Sequence, residues 1–313
     1  FAKAIEMGWP GADKARALVD QGLDYIDTKI RHPDGGWVHT IKPDGTPIDE
    51  KRDLYDHAFI TLAGATAYQI TGNETGLKIA RNAQEFIQTR LKDDEFGGWQ
   101  EDLGLTQPRR ANPHMHLVEA SCALFNATQD FHDFEIAKEC VSLFERSFFN
   151  SDHDILVEFF NLDWSPRSES PTTSVIEVGH MYEWATLLLE YDQIAGHDSL
   201  SWRRRLIRQA DKQVKLNSDG FAKNAERLDG CPVNSKRRLW PQLEMLRAHL
   251  CHPGIESRAH IEKTFASIME TYARRAISGT WIDEITDTGE PSSKTVPASM
   301  LYHWVTALHG FIE

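Results

Sequence analysis

The feature that most restricts this chain is an internal repeat of roughly sixty positions. Five short turns rich in Gly and Asp, each followed by an aromatic or apolar residue and then polar alternation, recur along it. They read HPDGGWVHTIKPDG, DDEFGGWQED, DHDILVEFFNLDW, NSDGFAKNAERLDG and SGTWIDEITDTGEP. Anchored on Trp37, Trp99, Val157, Phe221 and Trp281, the turns follow one another at spacings of 62, 58, 64 and 60. A fixed period of this length marks a repeat architecture and has room for two helices and a loop.

Between the turns, apolar residues recur at i, i+3 and i+4. That pattern predicts helices over 13–30, 53–71, 74–91, 112–129, 131–147, 174–196, 199–216, 239–252, 256–277 and 297–312. Breaks such as Thr71-Gly72-Asn73 and Pro253-Gly254 separate them. No run is long enough to build a sheet, so the expected fold class is all-α, made of helical hairpins. Ten helices are nearly whole and Phe1 to Met7 resembles the tail of an eleventh. A closed ring of six hairpins needs twelve, so a segment upstream of Phe1 is expected to supply the rest.

Composition narrows the partners. The net charge of −13 disfavours nucleic acid and anionic membranes, both of which reward basic surfaces. Cys122, Cys140, Cys231 and Cys251 show no metal or disulfide spacing and read as reduced thiols. No apolar run approaches the ~18 residues of a membrane span, and no signal sequence precedes the first helix. The expected setting is cytoplasmic and the expected partner a small molecule, with a homodimer left open.

The repeat also carries polar residues in phase. His57, His116, His180, Glu244 and His303 each follow a turn anchor by 17 to 23 positions, at mutual spacings of 59, 64, 64 and 59. If the first helices of the hairpins line a ring, these side chains gather at one end of a common cavity. An open solenoid would spread them along a groove. In RANPHMHLVEA, Asn112 is read as the helix N-cap and Pro113 as the first helical residue. Successive residues turn by about 100°, so His114 and His116 point apart and only one is expected to serve a site.

The stretches KRDLYDHAF, NPHMHLVEA, EVGHMYEW, RLWPQLE and LYHW, in this order, resemble the N-acylglucosamine 2-epimerase superfamily, specifically its branch of mannose isomerases and phosphomannose-isomerase-like proteins. The resemblance runs from about Ala2 to Leu308. It implies a single (α/α)6-barrel domain over 1–313, with the active site in the cavity mouth and neither metal nor redox cofactor. It makes His180 and His303 the catalytic acid/base pair, with Asn112, His116, Glu183, Trp240 and Glu244 lining the sugar site. Tyr55 and His57, in the first matching stretch, join the substrate-binding candidates. A family arginine on the first inner helix would lie upstream of Phe1, and Ser299 stands where the family carries a hydroxyl-binding residue. No phosphate-cradling Gly loop supports the nucleotide activation seen in some members.

The implied chemistry removes the proton alpha to a sugar carbonyl and returns it through an enediol. Imidazole suits this, since its usual pKa of ~6.5 lets it both take and return a proton near neutrality. His180 and Glu183 stand three apart, as do His116 and Glu119, so each pair shares a helix face. The expected activity is a cofactor-independent isomerisation of D-mannose to D-fructose. A sugar 2-epimerase or a mannose-6-phosphate isomerase is the alternative within the class. Arg109, Arg110, Lys236, Arg237 and Arg238 flank two of the motifs and read either as phosphate ligands or as solvated turn charges. Three more distant readings remain: a glycoside hydrolase using Glu183 and Glu244, a non-catalytic repeat module, and a metal-dependent isomerase using His116, His180 and His303.

Overall fold

The computed structural model describes residues 1–167 and 174–309 of the chain. Its internal contacts divide it into two compact units, Phe1–Phe148 with Phe159–Arg167, and Phe149–Glu158 with Ser168–Glu313.

The first unit holds α1 (Ala2–Glu6), α2 (Ala12–Thr28), α3 (Leu54–Thr71), α4 (Glu74–Phe86), α5 (Ala111–Thr128) and α6 (Glu135–Leu143). Helix α3 packs on α4 and α5, and α5 packs on α6. Asp53 starts α3 by accepting the Tyr55 N–H at 2.8 Å, and Gly72 ends it in the left-handed region at φ 73°. Asn73 then caps α4 through the Thr75 N–H at 2.9 Å. The α3 and α4 backbones meet at Gly64 and Gly76, where a Cβ on Gly64 would lie 2.5 Å from the Gly76 carbonyl oxygen. Only two glycines allow that approach.

The second unit holds α7 (Val178–Ala195), α8 (Leu200–Lys215), α9 (Leu239–Cys251), α10 (Arg258–Ile268) and α11 (Met300–His309). Helix α7 packs on α8 and α9, and α9 packs on α10 and α11. Helices α5, α7 and α9 are buried nearly all round, whereas α4 and α8 bury one stripe and expose charges on the other. That contrast separates the first helix of a hairpin from the second.

Strand among the described residues is confined to two- and three-residue pairs in the turns. Arg109–Arg110 pairs antiparallel with Phe159–Phe160, and Arg237–Arg238 with Glu284–Ile285. Each pair lays the turn of one repeat against the entry to a first helix.

The predicted helices are present, with local corrections. Helices α4, α6 and α10 each end in a π turn, at Ile87–Leu91, Phe144–Phe148 and Met269–Ala273. Phe131–Phe134 is a 3₁₀ turn in front of α6, and residues 310–312 of the last predicted helix lie outside the described residues. Asn112 is not the N-cap of α5, because strand pairing at Arg109–Arg110 carries the chain straight into a helix that begins at Ala111. All four cysteines are free thiols. No helix among the described residues is long and apolar enough to cross a membrane.

Candidate active site

The second unit brings four predicted site residues, His180, Glu183, Glu244 and His303, together with a fifth, Trp240. Trp240 stands in the first turn of α9, with its ring 5.0 Å from that of His180 on α7 and 5.5 Å from that of His303 on α11. Its seat depends on Gly179, where a Cβ would lie 2.4 Å from the indole. Glu183, Glu244 and His303 bring one polar atom each within 4.8 Å of one another.

Both histidines are held through Nδ1 by a buried carboxylate. His303 Nδ1 lies 2.6 Å from Glu244 Oε1, and His180 Nδ1 lies 3.1 Å from each oxygen of Glu158. Glu177 adds a second carboxylate 3.7 Å from His180 Nδ1. The two pairs differ in what surrounds them. Arg247 Nη1 stands 3.4 Å from Glu244 Oε2 and donates through Nη2 to Glu190 at 2.8 Å. Burial opposes charge on Glu244, but Arg247 first and then His303 outweigh it and hold the carboxyl below its usual range. Glu158 lacks such an arginine partner among the described residues, so burial raises it despite the imidazole beside it. Burial likewise opposes charge on His180, yet Glu158, Glu177 and Glu183 overcome it and raise the imidazole to about 10. The His180–Glu158 pair therefore keeps its shared proton through neutral pH.

Tyr302 donates its hydroxyl to Glu183 at 3.2 Å. Glu158, Arg247 and Tyr302 are not among the sequence candidates. Arg247 stands three residues after Glu244 and Tyr302 precedes His303, so those two are within reach of spacing arguments. Glu158 sits in a turn with no helical period to point it inward.

In the first unit, the ring of Tyr55 meets that of His116 edge-on at 5.2 Å, and Phe59 packs on the same imidazole at 4.5 Å. His116 Nδ1 stands 3.2 Å from Glu119 Oε2, the helical pairing expected of that spacing. Asn112 is half-buried in the first turn of α5. His57 is a correction. It accepts the Trp37 N–H on Nε2 at 3.2 Å and donates from Nδ1 to the Asp53 carbonyl at 2.7 Å, so no ring nitrogen is left for a sugar. Burial pushes its pKa down to about 4, which keeps the ring neutral. The true phase differs by two positions from the one the repeat suggests: the first-unit counterpart of His116 is Phe59, whereas His57 matches His114.

The five basic residues near the motifs all face carboxylates. Arg109 pairs with Asp93 at 2.8 Å, Arg110 with Glu101 at 2.7 Å and Lys236 with Glu284 at 2.8 Å. Arg237 pairs with Asp219 at 2.6 Å and Arg238 with Asp283 at 3.6 Å. They are turn charges, although Arg109 is buried rather than solvated and also binds the Gly97, Trp99 and Leu162 carbonyls. Glu183, Glu244 and His303 are also the described trio with metal-ligand proximity. Among them His303 binds Glu244, Glu244 also meets Arg247, and Glu183 accepts from Tyr302. Three acceptors, two imidazoles and an aromatic face can hold a sugar and move its protons.

The model of the N-acylglucosamine 2-epimerase (GlcNAc 2-epimerase) family matches residues 1–307. A mannose-6-phosphate isomerase of Rhizobium meliloti is 28% identical over 99% of this chain and 82% of its own. A D-mannose isomerase of Thermobifida fusca is 29% identical over 91% of this chain and 74% of its own. Among solved structures, a cellobiose 2-epimerase from Bacillus thermoamylovorans superposes with a TM-score of 0.85 at 18% identity, covering 100% of this chain and 84% of the other. That likeness carries the fold class, stacked helical hairpins of the (α/α) barrel type.

Proposed function

The chain belongs to the N-acylglucosamine 2-epimerase family, and we propose from that premise that it moves a proton at C2 of a mannose-related sugar, using His180 and His303. Sugar isomerase or epimerase activity comes with the family. The observation that carries the residue assignment is the pair of imidazoles packed on Trp240, each with its own carboxylate on Nδ1.

One imidazole takes the C2 proton of the open-chain aldose while a proton reaches the carbonyl oxygen at C1, giving a cis-enediol. Loss of the O2 proton with protonation at C1 then yields the ketose. Protonation at C2 on the opposite face, with loss of the O1 proton, yields the epimer instead. Glu244 balances the charge that grows on His303, and Trp240 supplies a face for the apolar side of the sugar.

Among outcomes, mannose 6-phosphate isomerisation and 2-epimerisation have more support than the isomerisation of free D-mannose expected from the sequence. The mannose-6-phosphate isomerase matches 99% of this chain, and cellobiose 2-epimerases are among its sequence relatives. Two imidazoles, one for each face of the enediol, also suit inversion at C2. The five paired basic residues make poor phosphate ligands, so a phosphate would have to be held elsewhere.

Proton NMR in D2O of mannose 6-phosphate, D-mannose, D-glucose and cellobiose, each with the metal-stripped protein, tests the proposal. Deuterium at C1 of a ketose marks isomerisation, and deuterium at C2 of an epimer marks 2-epimerisation. No exchange in any of the four would contradict both.

A further inference from the structure

The repeat explains why Glu158 stands where it does. In the turn before α5, Glu101 accepts the backbone N–H of Arg110, the helix's N-cap residue, at 2.7 Å. In the turn before α9, Asn224 does the same for Arg238, the N-cap residue there, at 2.6 Å. Glu158 is the member of this series before α7, where it accepts from the backbone of Glu177, again the N-cap residue. All three positions satisfy an N–H at a helix entry. Glu101 extends its second oxygen to the Arg110 guanidinium, and Glu158 turns to an imidazole one turn into its helix.

We infer that Glu158 is the positioning residue of His180, a helix-entry acceptor that also fixes the imidazole by its Nδ1 and so directs proton transfer through Nε2. The inference rests on the proposed C2 proton transfer. Both carboxylate oxygens lie 3.1 Å from Nδ1, and Glu158 is itself buried, so the ring is tied to the backbone at the start of α7. A carboxylate on the far nitrogen of a working imidazole sets its tautomer and orientation and raises its basicity. Among the described residues, the charged groups facing His180 are Glu158 from the turn and Glu177 and Glu183 at the start of its own helix, while α9 presents the uncharged Trp240. Glu158 lies closer to Nδ1 than Glu177, at 3.1 Å against 3.7 Å. The raised pKa of His180 agrees with that assignment.

The test is Glu158→Gln, which keeps an acceptor for the Glu177 N–H and removes the charge. Glu158→Asp is the conservative companion. For Glu158→Gln, kcat is expected to fall roughly 10- to 100-fold, as for other orienting partners of working histidines, with KM little changed. The pH limb belonging to His180 is expected to move down, and Glu158→Asp to recover part of both. In labelled wild-type protein, the His180 ring is expected to titrate well above its usual value and to drop by at least about one unit in Glu158→Gln. Unchanged kcat, pH limb and titration in Glu158→Gln would overturn the inference. So would a wild-type His180 midpoint at or below its usual value, a result that needs no variant to fold. His180→Ala separates the two levels of the account. If it kept full C2 exchange, the functional proposal would fall and this inference with it. If it lost exchange while Glu158→Gln behaved as wild type, only the inference would fall.

Discussion

His57 and His114 are two copies of one latch, each accepting on Nε2, at 3.2 Å, the N–H of the tryptophan that closes a Gly-Gly-Trp turn. Each also donates from Nδ1 to the carbonyl four residues earlier, at 2.7 Å for His57 and 3.1 Å for His114. Gly36 and Gly98, at φ 76° and 69°, bring the turn so near that a Cβ would lie 2.7 Å and 3.1 Å from the latching nitrogen. In the second unit Gln242 performs the same task, accepting the Ala222 N–H on Oε1 at 2.8 Å and donating to the Arg238 carbonyl at 2.8 Å.

The latches predict acid sensitivity. Burial lowers His57 to about 4 and His114 to about 3, so each stays neutral in the fold and protonates in the unfolded chain near pH ~6.5. Between those values the unfolded state binds more protons, and stability falls as pH drops, by up to about 1.4 kcal/mol per pH unit for each ring. Replacing both by Gln, the residue that serves at position 242, is expected to flatten this dependence while keeping most stability at pH 8. His114→Ala is expected to cost ~2–4 kcal/mol at pH 8 through its cavity and orphaned amide. Denaturant melts at pH 5 and pH 8 check both variants.

Gly179 predicts a defect in substrate handling. A Cβ there meets the Trp240 indole at 2.4 Å and Pro241 at 3.0 Å, so Gly179→Ala must displace the tryptophan. The expected loss in kcat/KM is about tenfold or more, with a stability cost of ~1–3 kcal/mol from overpacking. Steady-state kinetics beside a thermal melt separates the two effects.

Arg247 predicts a shifted acid limb. With burial opposing, its guanidinium is the foremost influence holding the Glu244 carboxyl down, so Arg247→Met raises that carboxyl. The charge that supports His303 is then lost at a higher pH as acid is added, and the acid limb of kcat/KM moves upward. Because the pair is buried, the variant is also expected to lose ~3–5 kcal/mol of stability. A pH–rate profile below the melting point of the variant is the check.

The period and the hairpins are legible in the sequence because helical spacing decides which residues share a face, and the set of His180, Glu183, Trp240, Glu244 and His303 because its motifs resemble those of the family. What backbone pairing decides is not. Asn112 resembles an N-cap, but the Arg109–Arg110 pairing with Phe159–Phe160 starts the helix earlier. His57 resembles a ring member because a repeat this long cannot resolve a slip of two positions, and only the hydrogen bond to Trp37 shows its role. Glu158 is hidden because turn residues carry no period. Once the caps at Glu101 and Asn224 are seen, two and three residues after their anchors Trp99 and Phe221, the position of Glu158 one residue after Val157 becomes readable.

Gly64→Ala tests the hairpin packing in the first unit. Its new methyl would lie 2.5 Å from the Gly76 carbonyl oxygen, and backbone on both sides leaves nothing flexible to yield. The expected cost is ~1–3 kcal/mol or more, read as a lower midpoint in denaturant.

The most direct test of the central claim is release of tritium from C2 of the accepted sugar, compared among wild type, His180→Ala and His303→Ala. The account predicts that both variants remain folded and release tritium at least ~100-fold more slowly, the scale of lost general acid–base catalysis. Release at the wild-type rate from both would contradict it.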